Sequence, residues 1–196
     1  MRPTAFWLPA TVLLIISACG SEPPRADTPP AGPPGDSAPA TAPSATSADS
    51  SAWTVSPSGA GPARVGMTLR ELAPLLRSPS DTAGLGDGCG YVAVRDAPDS
   101  LGFMVEGRRL VRVEVRGGPT PTAAGARVGD SEARIEALYG KVRVEPHKYT
   151  DGHYLVVMPG APADTVHRLI FETDGRRVTG YRAGLFPPVA YVEGCS

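Results

Sequence analysis

Apolar and polar residues alternate in several short stretches beyond residue 53, the pattern of half-buried antiparallel strands. The clearest stretch is RRLVRVEV at residues 108–115, in which three valines alternate with charged residues. Val111, Val113 and Val115 are predicted to face one side of a sheet. Arg112, Glu114 and Arg116 are then predicted to face the other, solvated side.

Tight-turn dipeptides separate pairs of such stretches. Glu106-Gly107 and Asp174-Gly175 each stand between alternating segments, and Asp-Gly is among the strongest hairpin signals. We therefore expect a hairpin at each dipeptide. Further strands are predicted at residues 89–94, 141–149 and 153–158.

Two segments carry helical signals instead. Thr68 and Ser131 are good N-cap residues, and Glu71 completes a capping box with Thr68. Pro74 interrupts the first segment, because a proline inside a helix removes a hydrogen bond. Gly140 ends the second segment. Both helices are expected to be short. Their apolar stripes are Leu69, Leu72, Ala73 and Leu76 in the first, and Ile135, Leu138 and Tyr139 in the second.

The chain repeats itself. ARVG occurs at residues 63–66 and at 126–129, each time before a predicted helix, and a Gly-Arg-Arg hairpin follows both. A unit of about 60 residues has a marginal core, and pairing two units enlarges it. We predict an α+β fold of two tandem helix-plus-antiparallel-meander repeats, residues 53–120 and 121–196, packed as one unit.

This repeated pattern resembles known families. A Gly-Met-Thr or Gly-Asp-Ser helix start followed by three or four antiparallel strands resembles the tandem repeats of β-lactamase-inhibitor-like proteins. It also resembles the small outer-membrane lipoproteins that accompany β-barrel assembly. The resemblance covers most of residues 61–184.

The N-terminus has the features of an export signal. Residues 1–18 combine Arg2 with an apolar run that is too short to span a membrane. The ending Ile-Ser-Ala-Cys resembles the lipobox of bacterial lipoproteins, which implies that Cys19 is acylated and becomes the new N-terminus. The alternative is an ordinary secretory signal in which Cys19 is incidental. Gly20 and Ser21 follow without an aspartate, which by the same resemblance favours the outer membrane, facing the periplasm, if the cell has two membranes.

A tether is predicted after the anchor. Residues 20–52 contain eight prolines and no aromatic residue, so they cannot bury apolar surface. Residues 19–52 are accordingly predicted to be the lipidated cysteine and a disordered spacer. Residues 53–196 carry 17 basic and 16 acidic residues, a balance that argues against a nucleic-acid partner.

Candidate chemistry is sparse. Cys89 and Cys195 are the cysteines that remain after Cys19, and an exported protein meets an oxidising compartment, so we predict a disulfide between them. The alternative makes Cys89 a nucleophile served by His147 or His153. These histidines, near Asp151, could also bind zinc, but exposed hairpin histidines are the simpler interpretation.

Two functional classes remain at this level. The preferred hypothesis is a non-enzymatic, membrane-tethered module that binds a protein or envelope component, with no catalytic residue, metal or cofactor. The alternative is a small periplasmic hydrolase or thiol enzyme that uses Cys89 with His147 or His153. No nucleophile elbow, phosphate-binding loop or His-Glu-x-x-His motif occurs in the sequence, which favours the first.

Overall fold

The computed structural model describes residues 53–158, 160–161 and 163–196. The predicted signal peptide, Cys19 and the tether lie outside this part of the chain. The fold contains both helices and strands but is mostly β. The strands are β1 Val55–Ser56, β2 Gly59–Ala60, β3 Ala63–Arg64, β4 Cys89–Val92, β5 Leu101–Glu106, β6 Arg109–Val115, β7 Val142–Pro146, β8 His153–Val157, β9 His167–Thr173 and β10 Val178–Leu185. The helices are α1 Leu69–Leu72 and α2 Glu132–Tyr139, with 3₁₀ turns at Ala73–Leu75, Pro79–Thr82 and Pro188–Ala190.

A seven-stranded antiparallel sheet organises the molecule. Its order is β4-β5-β6-β10-β9-β8-β7, and β1, β2 and β3 form a separate small sheet. The predicted hairpins are confirmed, since β5 pairs with β6 and β9 with β10 across the two turn dipeptides. At the centre β6 pairs with β10, with Arg182 opposite Glu114. Strands from both halves of the sequence therefore belong to one sheet.

The main core lies on one face of this sheet. Side chains of α1, α2 and the small sheet pack there against apolar residues of the central strands. Phe103, Val113, Phe171 and Ala183 are almost completely buried in this layer. The hydrophobic effect thus holds both helices against the same sheet surface.

Both helices begin at the predicted caps. The Thr68 hydroxyl accepts a hydrogen bond from the Glu71 amide at 3.3 Å, and the Thr68 amide donates to the Glu71 carboxylate at 2.7 Å, which completes the capping box. Helix α1 has only four residues and continues as a 3₁₀ turn that contains Pro74. The helix α2 begins after Ser131 and ends at Gly140, whose φ is 72°.

The two ARVG glycines occupy matching environments. Gly66 and Gly129 have φ angles of 94° and 92°, in the region that favours glycine. The side chain of Arg109 donates to the Gly66 carbonyl at 2.9 Å, and that of Arg177 donates to the Gly129 carbonyl at 2.7 Å. The second arginine of each hairpin therefore fixes the loop that precedes a helix.

Candidate binding site on the charged sheet face

The second face of the sheet is charged, and it is buried. Arg112, Glu114 and Arg182 expose only 1%, 5% and 6% of their surface. The prediction that Arg112 and Glu114 face solvent is therefore wrong, whereas Arg116 is exposed as predicted. The C-terminal segment, residues 187–196, lies over this face, and its Val189 packs with apolar residues of β8 and β9. We call the side of the sheet that carries Arg112, Glu114, Glu172 and Arg182 the charged face.

Arg112 is completely engaged by its surroundings. Its Nε donates to Glu114 at 2.9 Å, and its Nη2 donates to Glu114 and, at 3.2 Å, to the Tyr91 hydroxyl. Its Nη1 donates to the carbonyls of Tyr191 at 2.6 Å and Pro188 at 3.3 Å. A guanidinium has five N–H donors, and all five are used here. Arg112 thus ties the C-terminal segment to the sheet.

Glu114 is surrounded by donors. Its Oε2 accepts from Arg112 and, at 3.1 Å, from the Tyr91 hydroxyl, while Arg116 reaches its Oε1 at 2.6 Å. Burial raises the pKa of Tyr91, which keeps this hydroxyl protonated as a donor. The opposite residue on β5 is Gly102, where a Cβ would lie 2.9 Å from Glu114 Cγ. A glycine at that position leaves room for the carboxylate side chain.

Arg182 is buried to a similar extent but makes fewer bonds. Its Nε donates to the Val189 carbonyl at 2.8 Å and its Nη1 donates to Glu172 at 2.9 Å. Its guanidinium carbon lies 5.3 Å from the ring centroid of Tyr154. Its Nη2 has no hydrogen-bond partner among the described residues. Burial lowers the pKa of Arg182, the charge of Arg112 lowers it further, and Glu172 acts in the opposite direction.

His147 is hydrogen-bonded to Glu172, the carboxylate that pairs with Arg182. Its Nδ1 accepts from the amides of Tyr149 and Thr150, both at 3.1 Å, so its Nε2 carries the proton and donates to Glu172 at 2.8 Å. Burial acts to raise the pKa of Glu172, but the bonds from His147 and Arg182 outweigh it and the net pKa is lowered. The His147 side chain is only 7% exposed, so the interpretation as an exposed hairpin histidine is wrong for this residue.

A cleft of about 390 Å³ opens between the charged face and the C-terminal segment. Glu172 and Arg182 line it from the strands, Arg116 lines it from the end of β6, and Gly180 is a strand residue without a side chain. Val192 and Glu193 line it from the segment. This volume is within the range of small-molecule sites. The cleft therefore combines an apolar side chain, Val192, with several charged groups.

The C-terminal segment is held at a second place by its last residues. The sulfurs of Cys89 and Cys195 lie at disulfide-bonding distance, with their Cα atoms 5.3 Å apart, so the structure brings the predicted pair together. Glu193 accepts from the Lys148 ammonium at 2.9 Å and also from the Tyr149 hydroxyl. Both ends of the segment are thus attached to the sheet and its neighbouring hairpin.

The remaining predicted site residues are dispersed. His153 Nδ1 lies 2.9 Å from Glu132 Oε1, so His147 and His153 contact different carboxylates. Within the described part of the chain, no group of three or more histidine, cysteine or acidic residues is arranged to hold a metal ion. No helix there is long and apolar enough to cross a membrane. Cys19 lies outside the described residues.

Comparisons with known proteins add no family assignment. No protein-family model, no curated protein and no solved structure matches this chain. The functional interpretation therefore rests on the sequence and on the geometry of the charged face.

Proposed function

We propose that the protein is a lipid-anchored envelope lipoprotein that binds a protein or another envelope component and does not catalyse a reaction. The observation that carries the binding role is the cleft on the charged face, where a buried arginine lines a cavity with an unused donor group. Membrane attachment through Cys19 is proposed from the lipobox-like sequence. The outer membrane, facing the periplasm, is the proposed location if the cell has two membranes.

We propose further that the described domain consists of two tandem repeats, as the resemblance to β-lactamase-inhibitor-like proteins and small outer-membrane lipoproteins implies. The matching φ angles of Gly66 and Gly129 and the matching bonds from Arg109 and Arg177 support this proposal. The β6–β10 pairing joins the halves in the middle of the sheet. Such an arrangement enlarges the core that each half would have alone.

A binding role is favoured over the thiol-enzyme alternative by the state of its candidate residues. That alternative needs a free Cys89 thiol and a histidine with an available nitrogen. A disulfide with Cys195 removes the thiol. In His147, one ring nitrogen accepts two backbone N–H groups and the other donates to Glu172, so neither is available as a base.

The anchor is tested by changing Cys19. The Cys19→Ala variant of the full chain is expected to appear in the soluble fraction or to remain unprocessed, because its acylation site is gone. Cell fractionation and the mass of the mature chain measure both outcomes. Unchanged membrane fractionation with normal processing would contradict the lipoprotein assignment.

The binding role is tested by affinity capture from the native envelope. Arg116→Gln removes an exposed charge at the cleft, and Arg176→Gln is the matched control at a hairpin. A component captured by the wild type and by Arg176→Gln, but lost with Arg116→Gln, supports binding at the cleft. Loss of capture with Arg176→Gln alone would show that the hairpins, and not the cleft, bind the component. Capture of no component by the wild type would contradict the binding of a protein or another envelope component.

A further inference from the structure

We propose that the cleft binds the carboxylate group of a small ligand and that Arg182 is the residue that recognises it. This inference rests on the proposed binding function and names the chemistry of the ligand. It follows from three properties of the charged face: the hydrogen-bond donors that are unused, the acceptors that are occupied and the net charge.

The unused donors belong to Arg182. Arg112 uses all five of its N–H groups within the protein, whereas Arg182 makes one bond from Nε and one from Nη1. Every buried polar side-chain atom in the described residues has a hydrogen-bond partner. The Nη2 of Arg182 has no such partner, so it is not fully buried, and Arg182 is one of the residues that line the cleft. A ligand there meets a guanidinium edge that is otherwise held rigidly.

The acceptors of the charged face are already occupied. Both oxygens of Glu114 accept bonds, one from Arg116 and the other from Arg112 and Tyr91. Both oxygens of Glu172 also accept bonds, one from a histidine and the other from an arginine. The third carboxylate on the cleft, Glu193 of the C-terminal segment, accepts from Lys148 and Tyr149. The sheet side of the cleft therefore offers donors to a ligand, which favours an acceptor group over an ammonium or another cation.

The charge balance favours a single negative charge. Three arginines, Arg112, Arg116 and Arg182, and three carboxylates, Glu114, Glu172 and Glu193, line the cleft. Glu193 is paired with Lys148 at 2.9 Å, so the four cations and three carboxylates leave one positive charge when the neighbouring histidine is neutral. One carboxylate neutralises it, whereas a phosphate monoester carries about −1.5 to −2 charges at pH 7. A planar carboxylate also matches the geometry of a guanidinium edge.

Arg116 and Val192 define how such a ligand would be held. The Arg116 side chain is 73% exposed and contacts Glu114 through Nη2, so its other N–H groups can donate to a ligand above the cleft while that contact remains. Val192 lines the cleft from the C-terminal segment and offers an apolar surface to the ligand body. The bound group is therefore expected to be a carboxylate attached to a small, uncharged organic moiety.

The test is a titration of the full chain in detergent with N-acetylglycine, followed by NMR of the backbone amides and the arginine side chains. N-acetylglycinamide is the matched uncharged control, and inorganic phosphate is the competing anion. We expect saturable shifts at Gly180 and Arg182 with N-acetylglycine, with a Kd on the order of 1 mM, and no such shifts with the amide. Equal shifts with both compounds, no shifts at these residues, or tighter binding of phosphate would overturn the proposal.

Variants separate this inference from the broader proposed function. Arg116→Gln and Arg182→Lys should each weaken N-acetylglycine binding about tenfold, the effect of one charge-assisted hydrogen bond. Arg70→Gln, an exposed position on α1, is the control and should bind like the wild type. If circular dichroism shows that Arg182→Lys is unfolded, the proposal is tested by N-acetylglycine binding to the Arg116→Gln variant alone. If N-acetylglycine does not bind but envelope capture still depends on Arg116, only the carboxylate proposal is refuted. If N-acetylglycine binds but no envelope component is captured, only the proposed envelope partner is refuted.

Discussion

Arg112 and Arg182 lie on adjacent central strands, on the same face of one sheet, and both are more than nine-tenths buried. They differ in what surrounds them. Arg112 gives all its N–H groups to Glu114, Tyr91 and two carbonyls of the C-terminal segment. Arg182 bonds to one carbonyl and one carboxylate and borders a cleft.

The comparison distinguishes a buried charge that is fully bonded within the protein from one that keeps donors available for a ligand. A buried charge is costly unless it is paired and hydrogen-bonded, and Arg112 satisfies that condition entirely within the protein. Arg182 satisfies it only in part, although its neighbours hold it in place. The number of unused donors, rather than burial itself, identifies Arg182 as the recognition residue.

The largest expected effect is at Arg112. Arg112→Met leaves Glu114 buried without its main partner and releases the C-terminal segment, so the free energy of unfolding should fall by about 3 to 5 kcal/mol. Arg182→Met should cost about 1 to 2 kcal/mol, because it breaks fewer bonds and His147 still pairs with Glu172. Urea denaturation measures both values. An equal loss for the two variants would contradict the assigned roles.

The next effect concerns the link between Cys89 and Cys195, which closes a loop across 106 positions. Reduction, or Cys195→Ser, should lower the free energy of unfolding by about 2 to 4 kcal/mol. The Tm should fall by roughly 2 to 4 °C for each kcal/mol. Ser196→Ala is a matched control at the neighbouring position and should have little effect.

Mass spectrometry of the native, alkylated protein identifies the thiol state directly. A peptide that links Cys89 to Cys195 is expected. Alkylation of both cysteines in the unreduced protein would instead show free thiols, and the thiol-enzyme alternative would then regain its nucleophile.

The smallest effect is the acid response of Glu172. Its folded pKa lies below the ordinary value of 4.5, so its contribution to stability is present above that pH and is lost as the pH falls through the folded pKa. Glu172→Gln should therefore be less stable than the wild type at pH 7, and the difference should shrink below about pH 4.5. Thermal unfolding across this range measures the change. A difference independent of pH would show that Glu172 acts without its charge.

Local chemistry explains the parts of the fold that the sequence predicted. The hairpins follow from Glu106-Gly107 and Asp174-Gly175, and the start of α1 follows from the capping box at Thr68, because each signal acts within a few residues. The pairing of Cys89 with Cys195 was predicted from the export signal and the number of cysteines, and the structure brings their sulfurs to bonding distance.

The charged face was not predicted, because alternation along a strand shows that two faces differ but not what covers each of them. The side chain of Arg112 reaches Tyr191, 79 positions away, in a segment without helical or strand periodicity. Nothing in the sequence around Arg182 and Glu172 distinguishes them from other charged strand residues. Charged residues at the same-face positions of two adjacent strands, Glu114 opposite Arg182, were the available signal, but it depends on knowing that β6 pairs with β10.

Hydrogen exchange of the two guanidinium groups tests the central claim most directly. In ¹⁵N-labelled full chain, side-chain NMR should show slow exchange with water for both Nη groups of Arg112, because each of their hydrogens is bonded within the protein. The Nη2 hydrogens of Arg182 should exchange much faster, and N-acetylglycine should slow them. Equally slow exchange at both arginines without ligand would contradict the assignment of Arg182 as the open recognition residue.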